Sequence, residues 1–165
     1  MGSYADDALF MSRNNIEYVE LISDDGKSKV MVIPAWQGRV MTTSAAGDEG
    51  DSYGWINYSF IKKRQIDLQF NPVGGEERFW LVPEGGVFSL YFRQGEKQIY
   101  KNWKVPPVLD IEAFKIQSQS KNCICLTKEG CLTNACGTTF YLNIKRTISL
   151  LDLSLIHISE PTRHA

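Results

Sequence analysis

The densest group of polar and aromatic side chains lies between residues 74 and 84. It begins with Gly-Gly-Glu-Glu-Arg-Phe-Trp and provides five side chains that could bind a ligand: Glu76, Glu77, Arg78, Trp80 and Glu84. Carboxylates accept hydrogen bonds from hydroxyls, arginine supplies a fixed array of donors, and an indole face packs on the C–H face of a sugar ring. These residue types predict a carbohydrate-binding site. The alternative is an ion-pair lattice between strands with a core tryptophan, and the sequence leaves both open.

Four further residues are candidates for the same substrate-binding site. Arg39 follows Gly38 at the start of a predicted strand, from which its guanidinium could enter the same cavity as Glu76 or Glu77. A structural arginine tied to backbone carbonyls is the alternative. Trp55 and Asn57 are two residues apart, so on a strand they would share one face and line either a cleft or the core. Trp103 adds an aromatic surface.

The histidine, cysteine and acidic patterns predict neither a metal site nor a cofactor. Both histidines, His157 and His164, lie at the C-terminal end, which excludes Ser-His, Cys-His and His-ligated metal chemistry from the preceding part. The acidic loop at 45–52 is better explained as a solvated turn than as a calcium site. The four cysteines are Cys123, Cys125, Cys131 and Cys136. They lack the C-x2-C spacing of structural zinc sites, but a disulfide between two of them stays possible.

Charge and hydropathy exclude two classes of partner. The chain has 165 residues, with 18 basic and 19 acidic side chains and a net charge of -1. Such a balance argues against a general nucleic-acid binder, which needs clustered cations. No segment approaches the roughly 20 consecutive apolar residues of a membrane span. The compartment stays open between the cytoplasm and the space outside it, and no oligomeric state is predicted.

The elements that would position the candidate residues are strands. Runs of β-favouring residues are separated by turn sequences such as Ser-Asp-Asp-Gly at 23–26 and Pro-Glu-Gly-Gly at 83–86, and only Tyr4 to Met11 fits a short helix. We therefore predict an all-β, antiparallel β-sandwich. Its predicted strands are 16–22, 29–33, 38–43, 79–82, 87–92, 111–119, 123–127, 131–133 and 138–150.

The C-terminal residues have a different origin in our interpretation. Residues 153–163 read LSLIHISEPTR, which resembles the peptide encoded in one frame by a transposon-end adapter of sequencing libraries. We expect a partial domain at 1–152, cut from a metagenomic read, followed by a non-native tail at 153–165. Such a tail is no part of the predicted fold.

Four segments resemble a bacterial family of unknown function that is common in gut Bacteroidota. They are residues 36–61, 74–92, 103–107 and 132–151. The family is related to the galactose mutarotase-like superfamily, which implies a large antiparallel β-supersandwich with a carbohydrate-binding concave face. This chain would be its N-terminal part. In the aldose 1-epimerases of that superfamily, a Glu acts as general base and a His as general acid, but the matching Glu would lie beyond this chain.

Two hypotheses of function follow. The first is a sugar-active enzyme, epimerase-like or related, in the intact parent, with an inactive fragment and with catalytic residues that this sequence does not identify. The second is a non-catalytic carbohydrate-binding or scaffold domain. An acid and base pair facing Arg39, Glu76 and Glu77 would favour the enzyme, and a cavity of aromatic and arginine side chains without such a pair would favour the binding domain. Carbohydrate is the predicted partner in both.

Overall fold

Two three-stranded antiparallel sheets dominate the computed structural model, which describes residues 2–151. The predicted all-β class agrees with this mostly β content. Asp152 and the predicted non-native tail at 153–165, with both histidines, lie outside the described residues. No helix within the described part is long and apolar enough to cross a membrane.

The first sheet has its strands in the order β1-β2-β3, and β2 is buried along its whole length. A strand covered on both faces needs a continuous apolar run, which explains why Val-Met-Val-Ile does not alternate with polar residues. A 3-10 turn at Pro34–Trp36 separates the second strand from the third because proline cannot donate to a ladder. The strands are β1 (Val19–Ile22), β2 (Lys29–Ile33) and β3 (Arg39–Ser44).

The second sheet is built around a long hairpin, with its strands in the order β4-β5-β6. The strands β5 and β6 have 11 residues each and pair along their full length. The two strands predicted at 123–127 and 131–133 are therefore one. Gly130 within this strand lets Val108 pack close to the backbone, because a Cβ at residue 130 would lie only 2.6 Å from the Val108 side chain. The strands are β4 (Lys115–Gln119), β5 (Cys123–Thr133) and β6 (Thr139–Ser149).

Two helices cover the first sheet. The helix α1 (Tyr4–Arg13) starts with a capping box between Ser3 and Asp6 and extends the predicted helix by two residues. The helix α2 (Tyr58–Lys63) was not predicted, and it begins directly after Asn57. The Asn57 side chain accepts a hydrogen bond from the Phe60 N–H and starts this helix, while Ile56 just before it forms a single β-bridge with Gly74.

The segment between α2 and β4 is largely irregular, with short 3-10 turns at Tyr100–Asn102 and Pro107–Leu109. The strands predicted at 79–82 and 87–92 do not form. Here the backbone pairs across a tight corner and with side chains instead of in a ladder. Leu90 N–H donates to the Pro83 carbonyl, and the Ser89 hydroxyl donates to the Glu84 carbonyl.

The core has two parts, one on each face of the first sheet. The inter-sheet cluster contains Val30 and Val32 of β2 together with residues of both sheets, including Ile124 and Leu126. The helix-side cluster contains Met31 and Ile33 of β2 together with residues of α1, α2 and β3. Because side chains alternate along a strand, β2 contributes to both.

Candidate functional site

Arg39 lies inside the protein and holds a loop in place. Only 1% of the surface of this residue is exposed to solvent. The Nη1 atom donates to the Gly74 carbonyl at 2.7 Å and Nη2 to the Gln37 Oε1 at 3.4 Å, while Nε has no partner among the described residues. Burial, followed by the charge of Arg78, lowers the pKa of Arg39 to about 10. The guanidinium remains charged at neutral pH, and it fixes the backbone of residue 74.

Arg78 is held between aromatic rings and a buried carboxylate. Its guanidinium carbon lies 4.1 Å from the centre of the Trp80 ring and 5.2 Å from that of Phe70. Nη2 donates to the Leu109 carbonyl at 2.8 Å and lies 3.6 Å from the Asp110 Oδ1. Burial lowers the pKa of Arg78 below its ordinary value. Its contacts are those of an internal structural cation.

Asp110 completes this buried group and was missed by the sequence analysis. It is 5% exposed, and its Oδ2 accepts from the Asn71 backbone N–H at 2.9 Å and from the Asn71 Nδ2 at 2.8 Å. Burial raises the pKa of Asp110 above its ordinary value, against the effect of these hydrogen bonds. The only sequence feature that sets it apart is its position directly after the apolar pair Val108-Leu109.

Glu77 forms an ion pair with Arg146 of β6, which also donates from Nη1 to the Gln37 carbonyl at 3.2 Å. Arg146 thereby joins the second sheet to the chain beside β3. The contacts of Arg78 and Glu77 match the ion-pair lattice that the sequence left open, and the Gly74 contact of Arg39 matches its own alternative, a structural arginine tied to a backbone carbonyl. A role for them in ligand binding stays a prediction.

Trp80 and Trp103 belong to a row of stacked rings. Tyr91 lies between them, with ring centres 5.0 Å from Trp80 and 5.7 Å from Trp103, and Tyr100 stacks on Trp103 at 6.3 Å. The indole N–H of Trp80 donates to the Glu84 Oε1 at 2.8 Å. Both indoles therefore use ring faces for contacts inside the protein, and the most exposed ring of the row is Tyr100, at 77%.

Trp55 differs from the other predicted aromatic residues because its side chain faces solvent, with 65% exposure. Its carbonyl accepts from the Gly75 N–H at 2.8 Å. Gly74 has a φ of +96°, and a Cβ there would lie 2.2 Å from the Trp55 carbonyl oxygen and 3.1 Å from the indole Cε3. The indole therefore sits against backbone that only glycine can provide.

Two other exposed groups are anchored beside Trp55. Glu76 accepts hydrogen bonds from the Thr43 N–H at 2.7 Å and the Thr43 hydroxyl at 3.0 Å. Tyr53 donates its N–H to the Thr43 carbonyl at 3.1 Å and exposes its ring. We call Tyr53, Trp55 and Glu76 the Trp55 surface. Asn57 is not part of this surface: its Nδ2 donates to the Pro72 carbonyl at 2.9 Å, and its Oδ1 accepts from the Phe60 N–H at the start of α2.

The four cysteines are free thiols, and residues 2–151 contain no group of three His, Cys, Asp or Glu side chains placed to hold a metal ion. Cys125 is buried in β5, and its Sγ lies 3.3 Å from the Gln117 Oε1. Cys131 and Cys136 are exposed. The four thiols therefore differ in their exposure to solvent and in the hydrogen-bonding groups around them.

Cys136 is expected to react with iodoacetamide well before Cys125 at pH 7.5. The Thr138 hydroxyl, followed by other hydrogen bonds in the same turn, lowers the pKa of Cys136, and the thiolate is the reacting species. Peptide mass spectrometry over a time course measures both rates. Thr138→Val should slow Cys136 and leave Cys125 unchanged, whereas equal rates for the two cysteines in the unsubstituted protein would contradict the prediction.

Comparison with known proteins gives one match. A family model described as "Family of unknown function (DUF6786)" matches residues 2–159. No curated protein and no solved structure matches the chain.

Proposed function

We propose that this chain, which belongs to the family of unknown function DUF6786, binds carbohydrate through the Trp55 surface. The observation that carries the proposal is the indole of Trp55, 65% exposed on a backbone that Gly74 and buried Arg39 hold rigidly. A large aromatic ring in water costs free energy that a ligand can recover by covering it. Rigid placement means that little conformational entropy is lost on binding.

The chemistry around the indole suits a neutral polyol. An indole face offers apolar contact for the C–H groups of a pyranose ring, and Glu76 offers carboxylate oxygens for adjacent hydroxyls. The Thr43 N–H donates to Glu76 Oε1, and the Thr43 hydroxyl lies 3.0 Å from both carboxylate oxygens, so these contacts orient the carboxylate. Each oxygen can accept more than one hydrogen bond, which leaves capacity for a ligand hydroxyl. Tyr53 extends the aromatic surface. Aromatic contact together with oriented acceptors is the combination that distinguishes sugar binding from a purely apolar contact.

We extend the proposal to the fold and its origin. The two sheets share the inter-sheet cluster, an arrangement that supports a β-sandwich. The sequence resemblance supports the galactose mutarotase-like superfamily, a bacterial source, and a chain that represents the N-terminal part of a longer domain. Residues Arg39, Arg78, Glu77, Trp80, Glu84 and Trp103 then act mainly as the scaffold of the binding face.

Within the described residues, the geometry supports binding more than catalysis. Glu76 accepts hydrogen bonds from Thr43 and Glu77 forms an ion pair with Arg146, so the described contacts give neither carboxylate a partner that could act as the second acid or base. Epimerase chemistry needs an acid and a base in different protonation states on either side of the sugar. We expect NMR anomer exchange of bound monosaccharides to proceed at the uncatalysed rate.

Trp55→Ala is expected to weaken binding at least about tenfold, which corresponds to about 1.4 kcal/mol. The physical reason is the loss of the apolar face that covers the sugar ring. Affinity electrophoresis in gels containing single polysaccharides, chosen from glucans, xylans, mannans and galactans, identifies a ligand, and isothermal titration with its oligosaccharides gives the affinity.

The matched control is Tyr141→Ala, which removes an aromatic ring that is also strongly exposed but lies in β6. It should retain the full affinity. Equal losses in both variants, or no polysaccharide that retards the unsubstituted protein, would overturn the proposal. Accelerated anomer exchange that depends on Glu76 would favour the enzyme alternative instead.

A further inference from the structure

A groove lies at the end of β5, away from the Trp55 surface. It has a volume of about 560 Å³ and is lined by Leu68, residues 90–94, Asn102, residues 104–107 and residues 131–134. We call it the basic groove after Arg93 and Lys104 in its wall. The other polar or reactive side chains of the wall used below are Gln94, Asn102, Cys131 and Asn134. None of them belongs to the Trp55 surface or to the ion-pair lattice.

The charge of the basic groove is of one sign. Arg93 and Lys104 are exposed, and neither forms an ion pair with a carboxylate among the described residues. No Asp or Glu is part of the groove wall as the described residues form it. Two cations in a concave surface without a counter-charge attract an anion and raise its local concentration.

An amide donor without a protein partner, in the wall of the groove, points to the same kind of ligand. Asn134 is only 3% exposed. Its Oδ1 accepts from the Thr138 N–H at 2.8 Å and from the Cys136 thiol at 3.0 Å, while its Nδ2 donates to no described residue. Nδ2 is not one of the buried side-chain atoms that lack a partner, so it is accessible and can donate to a ligand in the groove. The groove thus offers donors and cations to a ligand rich in acceptors.

The rest of the groove adds apolar surface and further amides. Its floor includes the buried side chains of Phe92 and Leu132, which suit C–H groups. Gln94 and Asn102 supply amide groups that can bond to hydroxyls. From cations, amides and an apolar floor together, we propose that the basic groove binds a sugar that carries a carboxylate, that is, a uronic acid. An inorganic anion would leave the floor uncovered, and a neutral sugar would leave the cations unpaired.

Cys131 provides a direct test because it is exposed and lies in the wall of the groove, whereas Cys136 is exposed and lies outside the wall. The experiment measures the alkylation of both thiols by N-ethylmaleimide with peptide mass spectrometry, with galacturonate present. Galactose, inorganic phosphate and sodium chloride at matched ionic strength serve as comparison ligands. At about four times the Kd, mass action predicts that galacturonate slows Cys131 about fivefold, while Cys136 changes by less than about twofold.

The variants Arg93→Gln and Lys104→Gln should each remove most of the protection of Cys131. Lys63→Gln, which removes an exposed cation at the end of α2, should retain it. All three substitutions are at exposed positions, and circular dichroism checks that each variant is folded. Trp55→Ala should also retain the protection, so failure of the carbohydrate proposal at the Trp55 surface and failure here are separate results.

Three outcomes would overturn the inference. Equal protection by galactose would show that the carboxylate does not matter. Equal protection by phosphate or sodium chloride would show an unspecific effect of anions. No slowing of Cys131 at any galacturonate concentration would show that the groove does not bind this class of ligand.

Discussion

Gly74→Ala is expected to lower the free energy of unfolding by more than about 3 kcal/mol, because two unfavourable terms add. The φ of +96° is strained for any residue with a Cβ, and the new Cβ would lie 2.2 Å from the Trp55 carbonyl oxygen. That oxygen cannot move away freely, because it accepts from the Gly75 N–H. The loop must therefore shift and carry the Arg39 contact at residue 74 with it. Urea denaturation followed by circular dichroism measures the loss.

Gly86→Ala is the matched control for this prediction. Gly86 has a φ of +83°, and nothing lies within 4 Å of a Cβ placed there. It carries the same backbone strain without the steric overlap, so a loss of about 1 kcal/mol is expected. If the two alanine variants were equally stable, the close approach of residue 74 to Trp55 would not be a constraint on the fold.

Arg39→Ala is the second substitution with a large expected effect, a loss of about 3 to 5 kcal/mol in the free energy of unfolding. The Gly74 carbonyl and the Gln37 amide lose their donors inside the protein, and the side chain leaves a cavity. The charges of Asp110 and Glu77 also lose a nearby cation. Chemical denaturation gives the size of the loss.

Arg93→Ala serves as the control, since it removes an arginine at an exposed position, and we expect a change within about 0.5 kcal/mol. Arg39→Lys tests the role of geometry, because a lysine keeps the charge but cannot donate to Gly74 and Gln37 in the same fork. A lysine variant as stable as the unsubstituted protein would mean that charge alone matters at residue 39.

Part of the fold could be predicted from sequence because its signals are local. The strands β2, β3 and β6 were predicted to within one residue at each end, since each is a β-favouring run bounded by Gly, Pro or polar turn residues. The helix α2 was missed because its sequence is short and aromatic, and only the capping residue Asn57 marks it. In such a segment, one capping hydrogen bond can be the only local signal that a helix begins.

The site was harder to predict because its contacts join distant parts of the chain. Glu77 pairs with Arg146, and Asp110 pairs with Arg78 and Asn71, over separations that local patterns do not encode. The sequence indicated which side chains have the functional groups to bind a ligand. It could not indicate that Arg78 would be enclosed between rings while Trp55 faced solvent, because that choice depends on how the irregular segment after α2 packs.

The position of β2 between the two hydrophobic clusters has a consequence for how the protein unfolds. Met31 belongs to the helix-side cluster and Val32 to the inter-sheet cluster, although the two residues are adjacent. Neither cluster can come apart around this strand without exposing the backbone that the other one shelters. Detachment of the helices and separation of the sheets are therefore mechanically linked through a five-residue strand, whose amide protons will be among the last to exchange with solvent.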